Sequence, residues 1–285
     1  MTKRSVKQLI QAMAVSEGAG VTVHRTIGTP AIRNLDPFLM MDHFSSDDPD
    51  DYIAGFPDHP HRGFNTFTYM LDGHMSHQDS MGNRGDLRAG GAQWMKAASG
   101  VIHSEMPQQS EGMMRGFQLW VNLPANEKMS EPAYQEFPSE AMPVIDSDEH
   151  RVKVLVGEYQ GQRGPVIDPY TRVQYFDVTL KAGKTFTHDL DARLQAFVYV
   201  FEGDAKIGDA ELPQHTFAVL GDGNTLEISA GNNGARFILV AGQPLNEPIV
   251  QYGPFVMTTQ EDIQQAFIDY REGTLVRDKA SFVTT

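Results

Sequence analysis

Two stretches of this 285-residue chain repeat in the same order, about one domain length apart. NTFTYMLDG (65–73) is matched by QAFVYVFEG (195–203), with Phe, Tyr and Gly identical and Asp opposite Glu. FQLWVNLPANE (117–127) is matched by FILVAGQPLNE (237–247), with Phe, Pro, Asn and Glu aligned at equal spacing. Two such matches in order indicate a duplicated domain. Roughly 150 residues per domain also allows two. The expected division is 1–140 and 141–285, with the Pro- and acid-rich stretch 136–151 as linker.

The repeated unit reads as β. Segments rich in Val, Ile, Phe, Tyr and Thr lie at 64–71, 117–123, 152–156, 173–180, 194–201, 226–228 and 236–240. The 26 Gly and 16 Pro punctuate them. Short strands between frequent turn signals indicate a sandwich or barrel. One helix stands out near 259–272. Thr258 or Thr259 can cap it, with Glu261 or Asp262 completing a capping box. Ile263, Ala266, Phe267 and Tyr270 recur at helical spacing, and Gly273 ends it. The expected fold is therefore all-β with a short C-terminal helix.

Composition excludes several functions. Forty per cent hydrophobic residues suffice for a packed core. The net charge of -14, with no basic stretch, disfavours direct nucleic-acid binding because phosphates would be repelled. There is no Cys, so thiolate zinc sites, iron–sulfur clusters and disulfides are ruled out. No apolar run reaches membrane-spanning length. The opening residues MTKRSVKQLI hold no signal-peptide core, so a cytoplasmic location is expected.

The chemistry concentrates in histidines. FPDHPHRG (56–63) holds His59 and His61, and GVIHSEMP (100–107) holds His103 and Glu105. Residues two apart on a strand share a face, so each pair can offer two donors to one ion. Three imidazoles and a carboxylate suit one divalent transition metal. The hard oxygen favours Fe(II) or Mn, with Ni, Cu and Zn also compatible with imidazole. Four protein ligands on a six-coordinate ion leave two positions open for water, O2 or substrate. His74 and His77 follow the Asp72-Gly73 turn and read as solvent-facing or as lying behind the ligands; His24 and His43 read as structural. Phe56, Phe64, Met106, Phe117 and Trp120 are the candidate apolar walls of a pocket.

HPHRGF (59–64), LDG (71–73), HQDSMGN (77–83) and GVIHSEMP (100–107), in this order, resemble the pirin family. The resemblance is densest over 36–124 and extends along the whole chain. It implies a bicupin, two tandem antiparallel β-barrels or jelly rolls with metal only in the first. It implies His59, His61, His103 and Glu105 as the ligands. Asn65 departs from the pattern, since many members carry Glu there; this bears on the surroundings of the ligands rather than on the ligands themselves. In the second half, aligning the repeats sets Asp189 and Asp191 opposite His59 and His61.

Some members resemble quercetin 2,3-dioxygenases. The implied activity is metal-dependent cleavage of a flavonol such as quercetin by O2, with release of carbon monoxide. Glu105, the only non-histidine ionisable group of the set, is the candidate catalytic base. The second reading is an iron-dependent, redox-sensitive binding protein that regulates a protein partner without turnover. A zinc-dependent hydrolase would call for an HExxH pattern, which is absent. Members of the family are often monomers, and a monomer is expected here.

Overall fold

The structure is a computed structural model that describes residues 2–277. In chain order its principal strands are β1 (Val6–Gln11), β2 (Val21–Arg25), β3 (Phe38–Ser46), β4 (Phe56–His61), β5 (Phe64–Asp72) and β6 (His74–Asp79). They continue with β7 (Arg84–Arg88), β8 (Ala92–Lys96), β9 (Val101–Pro107), β10 (Met114–Asn122) and β11 (Ala133–Phe137). β12 (Gln174–Leu180), β13 (Thr185–Asp189), β14 (Gln195–Ile207), β15 (Thr216–Leu220), β16 (Thr225–Gly242) and the helix α1 (Gln260–Glu272) follow. The fold is a bicupin, as expected.

The first barrel comprises Ala14–Gly28, Phe38–Ser139 and the described chain from Leu245 to Arg277. A seven-stranded sheet runs β11-β8-β5-β10-β3-β2 and ends on Met13–Glu17. A four-stranded sheet runs β4-β9-β6-β7. Alternation turns one face of each sheet inward. Phe44, Met70 and Met114 from the first sheet meet Met75 and Leu87 from the second. Each large side chain buried in this way contributes about 1.5–3 kcal/mol.

The second barrel comprises the described chain from Thr2 to Met13, Thr29–Pro37 and Glu140–Pro244. Its sheet runs β1-β15-β14-β16-β12, then His150–Val156 and Val144–Asp146, with β13 also paired to β16. Phe176, Phe186, Val198, Leu226 and Phe237 fill its interior.

A linear cut at 140/141 differs from this partition. The chain does switch units between Ser139 and Glu140. Each end, however, joins the other half: β1 pairs with β15, with Leu9 opposite Ala218, and the helical segment belongs with the first barrel. The backbone edge of β15 satisfies the hydrogen bonds of β1, which its own half does not. The outer ends of the expected domains, residue 1 and residues 278–285, lie outside the described residues. The stretch 136–151 also carries order, since Val144–Asp146 pairs with the following strand.

Helix α1 starts where its capping residues place it. The Thr259 hydroxyl accepts the Asp262 N–H at 3.1 Å, and Gly273 closes the helix in the left-handed region at φ 73°. Ile263 and Ala266 bury against Phe255, Met257 and Leu275. Phe267 and Tyr270, on the same apolar stripe, stay partly exposed in a ring cluster with Tyr252 and Phe255. No described helix is long and apolar enough to cross a membrane.

Candidate metal centre

β4 is the edge strand of its sheet, and this suits a segment with prolines at 57 and 60, which lack an N–H. β9 pairs with it antiparallel, setting His103 opposite His59 and Val101 opposite His61. The ring centroids of the three histidines lie 4.3–4.9 Å apart. Their candidate ligand nitrogens all fall within 4.8 Å of one another. Gly63 turns the chain out of the cluster at φ 91°, and a Cβ there would run into the Val256 carbonyl oxygen.

The electrostatics leave these nitrogens free to ligate. His61 and His103 are buried, and His59 is half-buried. Burial first, then the neighbouring histidines, pushes His61 and His103 well below the ordinary imidazole value, so both are neutral at pH 7. His59 Nδ1 donates to the Pro57 carbonyl at 2.8 Å, so Nε2 is the ring nitrogen that this bond leaves unused. The Pro254 carbonyl faces the His61 ring, but neither ring nitrogen of His61 forms a hydrogen bond of ordinary geometry, nor does His103 Nε2. Buried polar atoms without a partner are costly. Three imidazoles at this spacing, with unpartnered nitrogens on His61 and His103, fit a cupin metal site.

Glu105 is buried close by but lies outside the three-histidine group. Its Oε1 accepts the Thr68 hydroxyl at 3.1 Å and the Gln93 amide at 2.6 Å, and its Oε2 accepts the Gln118 amide at 2.8 Å. The register of β9 against β4 slips between His103 and Glu105, with Glu105 opposite Phe56. The Trp120 indole N–H donates to Gln118 Oε1 at 3.2 Å, which turns the Gln118 amine toward Glu105.

A cavity of about 660 Å³ opens on the cluster, lined by His59, His61, Phe56, Gln118, Trp120 and Pro254 among others. Of the expected walls, Phe56 and Trp120 line it, while Phe64 and Phe117 are fully buried core and Met106 is not on its wall. Arg25 also lines it. Its guanidinium donates twice to Asp42, at 2.8 and 2.6 Å, and meets Glu17 at 2.7 Å. Burial would lower the Arg25 pKa, but these two carboxylates outweigh it and raise it.

The remaining histidines sort clearly. His74 pairs with Asp86, and His43 stacks on Phe117. His77 is fully buried against His103, a placement the solvent-facing alternative missed. The signal was present: Met75, His77 and Asp79 alternate on the buried face of β6. Asn65 is fully buried with both amide atoms unpartnered. It sits one residue from Phe64, which packs on His61 and Trp120, so strand alternation turns it to the opposite face. In the second barrel Asp189 accepts the Thr225 hydroxyl at 2.8 Å, and Asp191 pairs with Arg193 at 2.6 Å.

Comparison with known proteins agrees with this geometry. The Pirin family matches residues 20–121, and the Pirin C-terminal cupin domain matches residues 175–276. A pirin-like protein of Caulobacter vibrioides is 45% identical over 275 residues, 96% of this chain and 99% of its own. Pirin of Homo sapiens is 44% identical over 265 residues, covering 90% of this chain and 88% of its own. A crystal structure titled quercetin 2,3-dioxygenase, from Acinetobacter baumannii, superposes with TM-score 0.89 at 30% identity, covering 97% of this chain and 99% of that one. With its duplicated barrels and its three-histidine cluster, the chain belongs to the pirin family.

Proposed function

We propose that this protein is a metal-dependent dioxygenase that cleaves flavonols such as quercetin with O2. The observation that carries the reading is the convergence of three imidazoles at ligand spacing, two of which, His59 and His61, stand on the wall of a cavity sized for a flavonol. The Acinetobacter baumannii neighbour titled quercetin 2,3-dioxygenase supports it.

His59, His61 and His103 would hold one divalent metal, with Glu105 as its carboxylate partner. Fe(II) is the preferred ion for such a mixed set, and Mn, Ni, Cu and Zn are the alternatives. The bound metal would polarise the substrate oxygen and supply the electronic path to O2.

The protein's own groups do the rest. A carboxylate offers about four lone-pair positions. Three of those on Glu105 are taken by Thr68, Gln93 and Gln118, so the one left on Oε2 is the single position Glu105 can offer, to the metal or, as base, to the flavonol 3-hydroxyl proton at any one time. Trp120 fixes the orientation of Gln118 and so of that lone pair. Phe56, Trp120, Met40 and Pro254 give the flat apolar walls that hold an aromatic ring and displace water. Asp42 and Glu17 together offset the charge of Arg25, so the cavity suits an uncharged polyphenol better than an anion.

The test is to purify the protein anaerobically, measure its metal, and follow quercetin absorbance after O2 is admitted. Quercetin loss that requires both metal and O2 is expected. About one metal per chain with no quercetin loss would overturn the dioxygenase reading and leave the redox-linked binding of a protein partner.

A further inference from the structure

We infer that Asp79, acting through His77, sets the tautomer of His103 and so keeps its Nε2 bare for the metal. The inference rests on the reading of the three-histidine cluster as a metal site, and adds two positioning residues behind it.

The bookkeeping of hydrogens carries the inference. Asp79 Oδ1 accepts the backbone N–H of Met81 at 2.9 Å and of Asn83 at 3.0 Å. Its Oδ2 accepts the Asn83 side-chain amine at 2.9 Å and faces His77 Nε2 at 3.2 Å. A carboxylate that takes three N–H donors in this way is an acceptor, so His77 Nε2 must carry the hydrogen. With His77 neutral, which is part of the inference, its hydrogen on Nε2 leaves Nδ1 bare. His77 Nδ1 lies 3.4 Å from His103 Nδ1, so His103 must be the donor of that pair. Its own Nε2 is then the lone pair. That atom is buried and without a partner, as a metal ligand in waiting would be.

The chain of contacts is built rigidly. Both His77 and Asp79 side chains are shielded from solvent, at 1% and 0% exposure. β6 pairs with β9, placing Asp79 opposite His103 and His77 opposite Glu105. Tyr134 stacks on the His77 ring, with centroids 4.6 Å apart and planes 22° apart, and its hydroxyl donates to Glu136. Tyr134 therefore fixes the plane of the ring, and the contact of Nε2 with Asp79 its direction.

The substitution Asp79→Asn separates this from a merely structural role. The two backbone N–H groups on Oδ1 would hold the carboxamide oxygen in place, leaving its amine at His77 Nε2. Donor and acceptor then exchange along the chain, and His103 Nε2 becomes protonated. Long-range proton–nitrogen correlation spectra of the 15N-labelled, metal-free protein read the tautomers directly. In the unsubstituted protein His103 should be the Nδ1–H form and His77 the Nε2–H form; His103 with its hydrogen on Nε2 would overturn the inference. In Asp79→Asn both should invert, and Co(II) affinity measured by chelator competition should fall about 10- to 100-fold. His77→Phe, which keeps the ring against Tyr134 but removes the acceptor, should also weaken Co(II). Unchanged affinity in both variants would refute the relay. If the unsubstituted protein binds no Co(II), the metal-site reading fails, while the tautomer spectrum still judges the relay by itself.

Discussion

His188 offers a quantitative test of how the second barrel is filled. Its ring packs against Tyr159 at 5.5 Å, Phe176 at 5.4 Å and Phe186 at 6.1 Å, and its one hydrogen-bond contact is Gln174 Oε1 at 3.4 Å. Burial lowers its pKa to about 4, with the Asp189 carboxylate opposing. In the unfolded chain a histidine titrates near 6.5. As pH falls, the unfolded chain therefore takes up the proton first. Stability is lost from about pH 6.5 downward, and the loss is complete below about pH 4. The full difference is worth about 3.4 kcal/mol, since each pKa unit is about 1.36 kcal/mol. About 1.8 kcal/mol of it falls between pH 7 and pH 5. Other buried histidines add their own acid sensitivity, so the informative quantity is the comparison with His188→Phe, which keeps the aromatic packing and removes the titration. Urea unfolding of the metal-free protein followed by far-UV circular dichroism at pH 7, 6 and 5 supplies it. Tryptophan fluorescence would not, because Trp94 and Trp120 both lie in the first barrel. The unsubstituted protein should lose about 1.5–2 kcal/mol more than the variant over that range. Parallel pH profiles, within about 0.5 kcal/mol, would refute the assignment of His188 as a half-buried residue held neutral among aromatic rings.

The remaining predictions concern the surroundings of the cluster. Arg62 is buried and donates to the Ser99 carbonyl at 2.6 Å, Asp269 at 2.7 Å and the Leu275 carbonyl at 3.4 Å. Arg62→Met should cost about 3–5 kcal/mol, seen as a lower urea midpoint and faster amide exchange in α1; protection in α1 equal to that of the parent would contradict the anchoring role. Glu105→Gln should keep some metal while slowing quercetin loss by about 100-fold or more, the range for a general base. An unchanged rate in that variant would remove Glu105 from the chemistry.

Much of this was legible in the sequence because the signals are local. The H-x-H spacing of His59 and His61 works through strand alternation alone. The cap at Thr259 and the stop at Gly273 need only the neighbouring backbone. What depends on distant partners was less legible. Spacing alone paired Glu105 with His103, but Thr68, Gln93 and Gln118, from three other strands, take up most of the lone pairs of its carboxylate. The strands read at 226–228 and 236–240 are one 18-residue strand, β16, whose first part pairs with β13 and whose later part pairs with β12. Glycines at 231 and 234 lie within the strand. The exchange of chain ends between the barrels has no local signal, since β1 is an unremarkable amphipathic segment until it meets the edge of β15.

The most direct test of the central claim is elemental analysis of the purified protein beside three variants, His59→Ala, His103→Ala and His188→Ala. About one transition-metal ion per chain is expected in the parent and in His188→Ala, and none in the other two. Equal metal loss in all three, or full metal in His103→Ala, would contradict a single site built on His59, His61 and His103.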